Sequence, residues 1–167
     1  MSNELIRVVR EADSPRICEI YNHYVKNTCI TFEETPVSQQ EMQKRIAKIT
    51  PSYPFIVYGM KDDVLGYAYA NLWKERSAYR FTAEVTVYVD KDHHGKGIGY
   101  KLLEELLSRV NNSRIHALIA VIALPNEKSI RLHERFGFKK AAHFIEVGYK
   151  QNQWIDVGYW ELINRHN

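Results

Sequence analysis

The stretch Val87-Tyr88-Val89-Asp90-Lys91-Asp92-His93-His94-Gly95-Lys96-Gly97-Ile98-Gly99 runs from an apolar strand through a basic, glycine-spaced loop into an amphipathic segment. Gly95, Gly97 and Gly99 let the backbone turn with positive φ and approach a ligand closely, and the amides of a following helix start favour an anion. The chemistry that fits is a diphosphate cradle. The loop has no Gly-Lys-Ser/Thr ending to hold magnesium, and its spacing departs from the dinucleotide fingerprint with its later acidic ribose ligand. A diphosphate-bearing ligand other than ATP or NAD is the expectation, with a plain strand-to-helix turn as the alternative.

Two further side chains could move protons. Glu84 interrupts the apolar segment Thr82 to Val89, where an unpaired charge is costly, and strand alternation sets it on one face with Thr86 and Tyr88. It is either a carboxylate satisfied by a neighbouring arginine or hydroxyl, or a functional group with a perturbed pKa. His133 lies three residues after Ile130 and three before Phe136, on the inward stripe of a short helix. A histidine there is either a satisfied core residue or a proton carrier. His93 and His94 lack Cys or Glu at ligand spacing, so no metal is expected.

The elements that hold these groups follow from patterning. Ile6 to Val9 reads as a first strand, and Asp13-Ser14-Pro15 caps and starts a helix with Ile17, Ile20, Tyr21, Tyr24 and Val25 on one face. Ser38-Gln39-Gln40-Glu41 is a capping box opening a second helix, with Met42, Ile46 and Ile49 at helical spacing and Pro51 and Pro54 closing it. Phe55 to Tyr58, Val64 to Trp73 and Thr82 to Val89 read as strands, the first two joined through Lys61-Asp62-Asp63. Ile98, Leu102, Leu103, Leu106, Leu107 and Val110 form the inner stripe of a helix ending at Asn111-Asn112. The apolar run Ala117 to Leu124 is then a strand buried on both faces, and the strand, helix, strand order makes it parallel to Thr82 to Val89.

Asn126 caps a short helix with Ile130, Leu132 and Phe136 inside, which Gly137 ends in the left-handed conformation. Phe144 to Tyr149 and Trp154 to Glu161 flank Lys150-Gln151-Asn152-Gln153 as an antiparallel hairpin. The order βααβββαβαββ describes an α/β domain on a mixed central sheet, antiparallel at first and parallel in the middle.

With 167 residues, 45% of them hydrophobic and 26% charged, the chain has the make-up of a single domain over residues 1–167. A net charge of +3 helps attract an anionic ligand but is far from the basic stripe of a nucleic-acid binder. No apolar run approaches a membrane span, and the first residues, with Glu4 and Arg7, lack a signal-peptide core, so the cytoplasm is the expected compartment. Cys18 and Cys29 show no pairing or metal pattern and read as two thiols.

The element order, the loop His94-Gly95-Lys96-Gly97-Ile98-Gly99 and Asn126 with Leu132-His133-Glu134-Arg135-Phe136-Gly137-Phe138 resemble the GNAT superfamily of acetyl-CoA-dependent N-acetyltransferases over almost the whole chain. Four segments resemble its phosphinothricin and methionine sulfoximine acetyltransferase branch. They are Trp73-Lys74-Glu75-Arg76-Ser77-Ala78-Tyr79, Glu84-Val85-Thr86-Val87-Tyr88-Val89, Ala120-Val121-Ile122-Ala123-Leu124-Pro125-Asn126, and Gly148-Tyr149-Lys150 with Trp154-Ile155-Asp156-Val157-Gly158. One departure is His94, where the superfamily's loop begins with Gln or Arg; backbone amides, which do most of the anion binding, are untouched by that difference.

The resemblance implies a GNAT-like sheet whose parallel pair splays at the cofactor site, with the strand of Glu84 bulging away from its neighbour. It implies transfer of acetyl from acetyl-CoA to the primary amine of a small glutamate-like or methionine-like acceptor. Cofactor contacts are implied for Val87, Tyr88, Val89, His94, Gly95, Lys96, Gly97, Ile98, Gly99 and Asn126. The amine attacks only when neutral, so a proton route is needed. The resemblance makes Glu84 the general base, directly or through a water, and His133 a proton-transfer residue of either direction. Strand amides such as those of Val87 and Val89 suit an oxygen on which charge develops.

Phe32 is implied at the acceptor pocket, and Arg76 and Arg80 are the guanidinium candidates for an acceptor carboxylate, Arg80 favoured by the resemblance and a solvated charge being the alternative. The resemblance also implies a homodimer, for which eleven tyrosines and three tryptophans are a suitable supply. Two rival functions remain, a non-catalytic acetyl-CoA sensor and a peptide or protein N-terminal acetyltransferase. The bulk of Trp73, Tyr79 and Phe81 argues for a small closed pocket against the latter.

Overall fold

Small and large apolar residues alternate along the central strands, and that decides how the two faces are covered. The computed structural model describes residues 4–60 and 63–164, so Lys61 and Asp62 of the expected hairpin turn lie outside the described residues. The elements are β1 (Glu4–Val8), α1 (Ser14–Asn27), α2 (Gln39–Ile49), β2 (Phe55–Met60), β3 (Asp63–Leu72), β4 (Thr82–Val89), α3 (Ile98–Asn111), β5 (Ala117–Ala123), α4 (Glu127–Arg135), β6 (Lys139–Lys150) and β7 (Gln153–Ile163). This is the order read from the sequence. They form a seven-stranded sheet ordered β1-β2-β3-β4-β5-β7-β6, in which β4 and β5 run parallel and the other neighbours antiparallel.

On one face, Leu102, Leu103, Leu106 and Val110 of α3 are fully buried against Ala68, Ala70, Ala83, Val85, Leu118 and Ala120. Alanines at four of these six strand positions let the helix approach closely, and each of its buried leucines is worth about 1.5–3 kcal/mol relative to exposure. On the other face, α1 and α2 set Ile17, Ile20, Val25, Met42 and Ile46 over Phe55, Val57 and Tyr67. Because side chains alternate along a strand, Glu84, Thr86 and Tyr88 share this second face.

Three helix and strand details differ from the sequence reading. Asp13 stands at the α1 start without capping it: its carboxylate takes Arg7 at 2.7 Å and the Arg10 amide at 2.7 Å, competing partners that outbid the helix N–H groups. Only half of the α2 capping box forms, since Ser38 Oγ accepts from the Glu41 amide at 3.1 Å while Glu41's carboxylate turns to Arg45. β6 is longer than Phe144 to Tyr149 because it is an edge strand with register shifts, and its sequence shows no clean alternation. The β6–β7 turn is a tight one, with Gln151 and Asn152 at φ of 52° and 59°.

Candidate active site

β4 pairs with β5 only at Thr82↔Ala117, Ala83↔Leu118 and Glu84↔Ile119, after which the two strands part. β4 stays in unbroken register with β3 as far as Val89, and β5 follows β7 to Ala123. Each strand keeps its register with its outer neighbour while the two part from each other, so the parallel pair splays as the resemblance implied, and β4 carries no bulge in its ladder with β3.

Asp90 N–H donates to Leu65 O at 2.8 Å, which sets the phase of the ladder. Glu84, Thr86 and Tyr88 direct their backbone groups to β3, and Val85, Val87 and Val89 turn theirs to the gap. Val87 and Val89 therefore present N–H groups there, while the Val89 carbonyl accepts from the Tyr24 hydroxyl.

Two adjoining cavities occupy the fork. One, of about 240 Å³, is lined by Thr31, Phe32, Glu84, Thr86, Ile122 and His133 among others. The other, of about 610 Å³, runs from Val89 past His94, Gly95 and Gly97 to α4. Ile30, Val87, Tyr88, Asn126, Ser129 and His133 line both.

Glu84, the last β4 residue paired to β5, is half-buried and has neither an ion pair nor a hydrogen-bonding side chain among the described residues. The satisfied-carboxylate alternative is therefore not what the fold builds. Burial raises its pKa above the usual carboxylate value.

His133 is 5% exposed, and its Nδ1 lies 2.8 Å from the Ser129 carbonyl. Since the carbonyl can only accept, Nδ1 carries the proton and Nε2 keeps its lone pair. That Nε2 is buried without a partner among the described residues. Burial pulls the ring's pKa below 6.5 against the opposing pull of Ser129, so the imidazole is neutral near neutral pH. The Phe138 ring stands edge-on to it at 5.2 Å.

In the loop, Gly95 and Gly97 both have φ of 76°, and nothing stands within 4 Å of where a Cβ would be. Gly99 differs from the expectation: it has no positive φ and sits in the first turn of α3, where its missing side chain keeps the cavity clear beside Leu132 at 3.6 Å. The His94 ring folds back on the sheet, Nε2 donating to the Tyr24 hydroxyl at 2.7 Å. Burial pushes the Tyr24 phenol up to about 12, so it stays a protonated donor to Val89.

Lys96 points elsewhere, reaching the Asp92 carbonyl at 3.3 Å, and does not line the cavity. Lys128 and Arg131 of α4 do line it, and the sequence reading missed them; their three-residue spacing marks a shared helix face but not what that face meets. Tyr24, Thr31 and Ser129 were missed as well, each being positioned by contacts remote in sequence or along α4.

The loop is anchored by Asp90, whose carboxylate accepts from Arg16 at 2.8 Å, His93 Nδ1 at 3.0 Å and the Asp92 amide at 2.9 Å. Burial alone would raise this carboxyl, but the bonds from His93, the Asp92 amide and Arg16 overcome it and hold the pKa at about 2. A depressed pKa means stability that is complete above 3.8 and lost as pH falls toward about 2. Asp90→Asn is expected to lower stability by about 1–3 kcal/mol near neutral pH. Urea midpoints at about pH 7 and about pH 3 check it, the difference narrowing at the lower pH; equal midpoints at the higher pH would overturn it.

The acceptor-side expectations divide. Phe32 lines the smaller cavity. Arg76 and Arg80 do not: Arg80 bonds the Ser77 carbonyl at 3.1 Å and lies 4.5 Å over the Phe81 ring. Trp73 and Tyr79 pack edge-on at 5.1 Å, and neither they nor Phe81 line the cavity. The reason is direction. These residues precede β4 at the end where it is still paired to β5, whereas the gap opens past Glu84. Asn126 lines both cavities and also caps α4, its Oδ1 accepting from the Ser129 amide at 3.2 Å. Among the described residues no group of His, Cys, Asp or Glu stands ready to hold a metal ion.

Comparison with known proteins agrees with this geometry. The sequence model of the acetyltransferase (GNAT) domain matches residues 6–158. A phosphinothricin N-acetyltransferase of Streptomyces viridochromogenes is 37% identical over 156 residues, 93% of this chain and 85% of that protein. An L-methionine sulfoximine/L-methionine sulfone acetyltransferase of Pseudomonas paraeruginosa is 37% identical over 159 residues, 94% of this chain and 92% of that protein. The structure of an acetyltransferase from Salmonella typhimurium with its cofactor acetyl-CoA matches at a TM-score of 0.96 and 34% identity, over 99% of this chain and 96% of that one.

Proposed function

We propose, because this chain belongs to the GNAT acetyltransferase family, that it moves acetyl from acetyl-CoA to the primary amine of a small amino-acid-like acceptor of the phosphinothricin, methionine sulfoximine or methionine sulfone kind. The observation that carries this reading is an unpaired carboxylate, Glu84, sharing one small cavity with the orphaned Nε2 of His133 at the mouth of a glycine cradle.

The residues present fit acetyl-CoA. Open amides at Gly95 to Ile98, with Lys128, Arg131 and His93 beside them, suit the phosphates, and the gap-facing N–H groups of Val87 and Val89 suit the pantetheine arm, with Asn126 at its side. When bound, acetyl-CoA supplies the activated thioester acetyl group. Glu84, its pKa raised by burial, takes the ammonium proton directly or through a water, leaving the neutral amine to attack. His133, neutral with its Nε2 lone pair open, is a second proton acceptor beside it.

The acceptor cavity, about 240 Å³, falls below the roughly 300–1,000 Å³ of drug-sized sites, which favours a compact amino acid over an extended peptide. The same reading takes a homodimer, with Phe144, Ile145 and Val147 of the edge strand β6 exposed for a second copy, Ile145 to 75%. It takes the cytoplasm as the compartment, for a chain with two free thiols and no described helix long and apolar enough to cross a membrane.

Thiol release from acetyl-CoA tests the reading directly, with phosphinothricin, methionine sulfoximine, methionine sulfone, the free amino acids and a peptide panel as acceptors. Saturable turnover with a compact α-amino acid analogue is expected. Turnover with peptides alone would make the protein a peptide acetyltransferase, and acetyl-CoA binding without turnover would make it a sensor.

A further inference from the structure

The segment between α1 and α2 is irregular, yet it supplies Ile30, Thr31 and Phe32 to the smaller cavity. An irregular wall needs something to hold it. The two helices tie its ends and one side chain of its middle, with the Val37 amide on Asn22 Oδ1 at 2.8 Å, Glu33 paired to Arg45 at 2.8 Å and Thr31 Oγ1 bonded to the Tyr21 hydroxyl at 2.8 Å. At Cys29 and the Thr31 backbone the ties come from the tip of the β6–β7 hairpin. Lys150 Nζ donates to the Thr31 carbonyl at 2.8 Å, Gln153 Nε2 donates to Cys29 Sγ at 3.2 Å, and Cys29 Sγ faces Gln151 Oε1 at 3.4 Å. The outer edge of the Phe32 ring abuts Gly148, where a Cβ would come within 2.4 Å of it.

Lys150 is an odd choice for a core position. It is 3% exposed and makes no salt bridge among the described residues, and its burial draws the ammonium's pKa down. A well-packed aliphatic side chain there would avoid the cost of desolvating a charge. What the lysine provides that an aliphatic cannot is a strong, directed donor to the Thr31 carbonyl. Gly148 has an ordinary φ, so a side chain there meets no backbone strain, only the Phe32 ring. Gly148 and Lys150, two residues apart on β6, therefore address adjacent residues of the wall. One leaves room for the Phe32 ring, and the other holds the Thr31 backbone.

We propose that the tip of the β6–β7 hairpin, through Gly148 and Lys150, is the positioning device that sets the Thr31–Phe32 wall and thereby decides which acceptors fit. This rests on the reading of the smaller cavity as the acceptor site. Lys150 and Gly148 act through the wall and are positioning residues.

The test measures KM and kcat for methionine sulfone and for acetyl-CoA, with melting temperatures, in Lys150→Met, Lys150→Arg, Gly148→Ala, Phe32→Ala and the Gly148→Ala/Phe32→Ala double variant. Lys150→Met and Gly148→Ala are expected to raise the acceptor KM by about tenfold to a hundredfold, as displaced positioning groups do, with the acetyl-CoA KM within about twofold. Lys150→Arg, which keeps a donor, retains more acceptor affinity than Lys150→Met. The double variant is no worse than Phe32→Ala alone, because the clash at position 148 goes when the ring goes.

Acceptor and donor constants that move together, or an unchanged acceptor KM in Gly148→Ala while Phe32→Ala raises it, would overturn the proposal. If Lys150→Met does not fold, the Gly148 and Phe32 cycle decides alone. An acceptor KM indifferent to Phe32→Ala would instead refute the acceptor reading of the cavity, and the proposal with it.

Discussion

Glu84→Gln is expected to reduce kcat/KM by about 10²- to 10⁴-fold, the range for losing a positioned general base, with acetyl-CoA binding unchanged. The glutamine keeps the size and one carbonyl oxygen of the glutamate but cannot take a proton. Glu84 lies at the opening of the fork, away from the glycine loop that holds the phosphates, so calorimetric titration with acetyl-CoA should not distinguish the variant. Wild-type turnover in the variant would remove Glu84 from the reaction.

Stability should move the other way. Burial raises the folded-state pKa of Glu84 above 4.5, so its stabilising contribution is present below that pH and lost as pH rises through the folded value. Near neutral pH the wild type therefore carries an uncompensated charge that the glutamine removes. The variant's Tm is expected to rise, by about 2–4 °C for each kcal/mol relieved in a chain of this size. A variant both slower and more stable is the signature of a group kept for chemistry. A variant slower and less stable would instead mark Glu84 as structural.

His133→Asn is expected to cost about 10²-fold in kcat/KM, the lower end for a proton-transfer group. Asparagine keeps a donor for the Ser129 carbonyl while removing the lone pair at Nε2. The pH profiles carry the distinction. In the wild type, activity falls as pH drops through the histidine pKa, which lies below 6.5, and this limb should vanish in the variant while the limb from Glu84 persists.

The stability contribution of the histidine falls toward acid as the activity does, the opposite pH direction to that of Glu84. A folded pKa depressed by burial means a contribution complete above 6.5 and lost as pH falls, because the imidazolium is favoured in the unfolded chain. Urea midpoints of the wild type should therefore drop between neutral pH and about pH 5 more steeply than those of the variant. Parallel midpoints, with the acid limb of activity unmoved, would return His133 to the role of a core residue.

Legibility in the sequence tracked how local each determinant is. The bounds of β4 are legible because Thr82 to Val89 is β-branched or aromatic at every position but Ala83 and Glu84. The α3 stripe was read because six apolar residues repeat at the helical period, and all six are buried. β6 was read too short because an exposed edge strand with bulges has no buried face to impose alternation. Gly99 was grouped with Gly95 and Gly97 because spacing alone does not say where a loop ends and a helix begins.

By itself, the sequence determined the order of elements, the positive-φ glycines of the cradle, the face of β4 that carries Glu84 and the helix that carries His133. Each of these follows from backbone conformation or from a period of a few residues. Only the tertiary structure decided that β4 and β5 part after Glu84, that Lys128 and Arg131 line the larger cavity, and that Arg76 and Arg80 fall at the closed end of the fork. It alone joined Lys150 to Thr31, 119 residues apart, and Phe32 to Gly148. These depend on where strands diverge and which surfaces meet, and a one-dimensional pattern fixes which way a side chain faces without fixing what it faces.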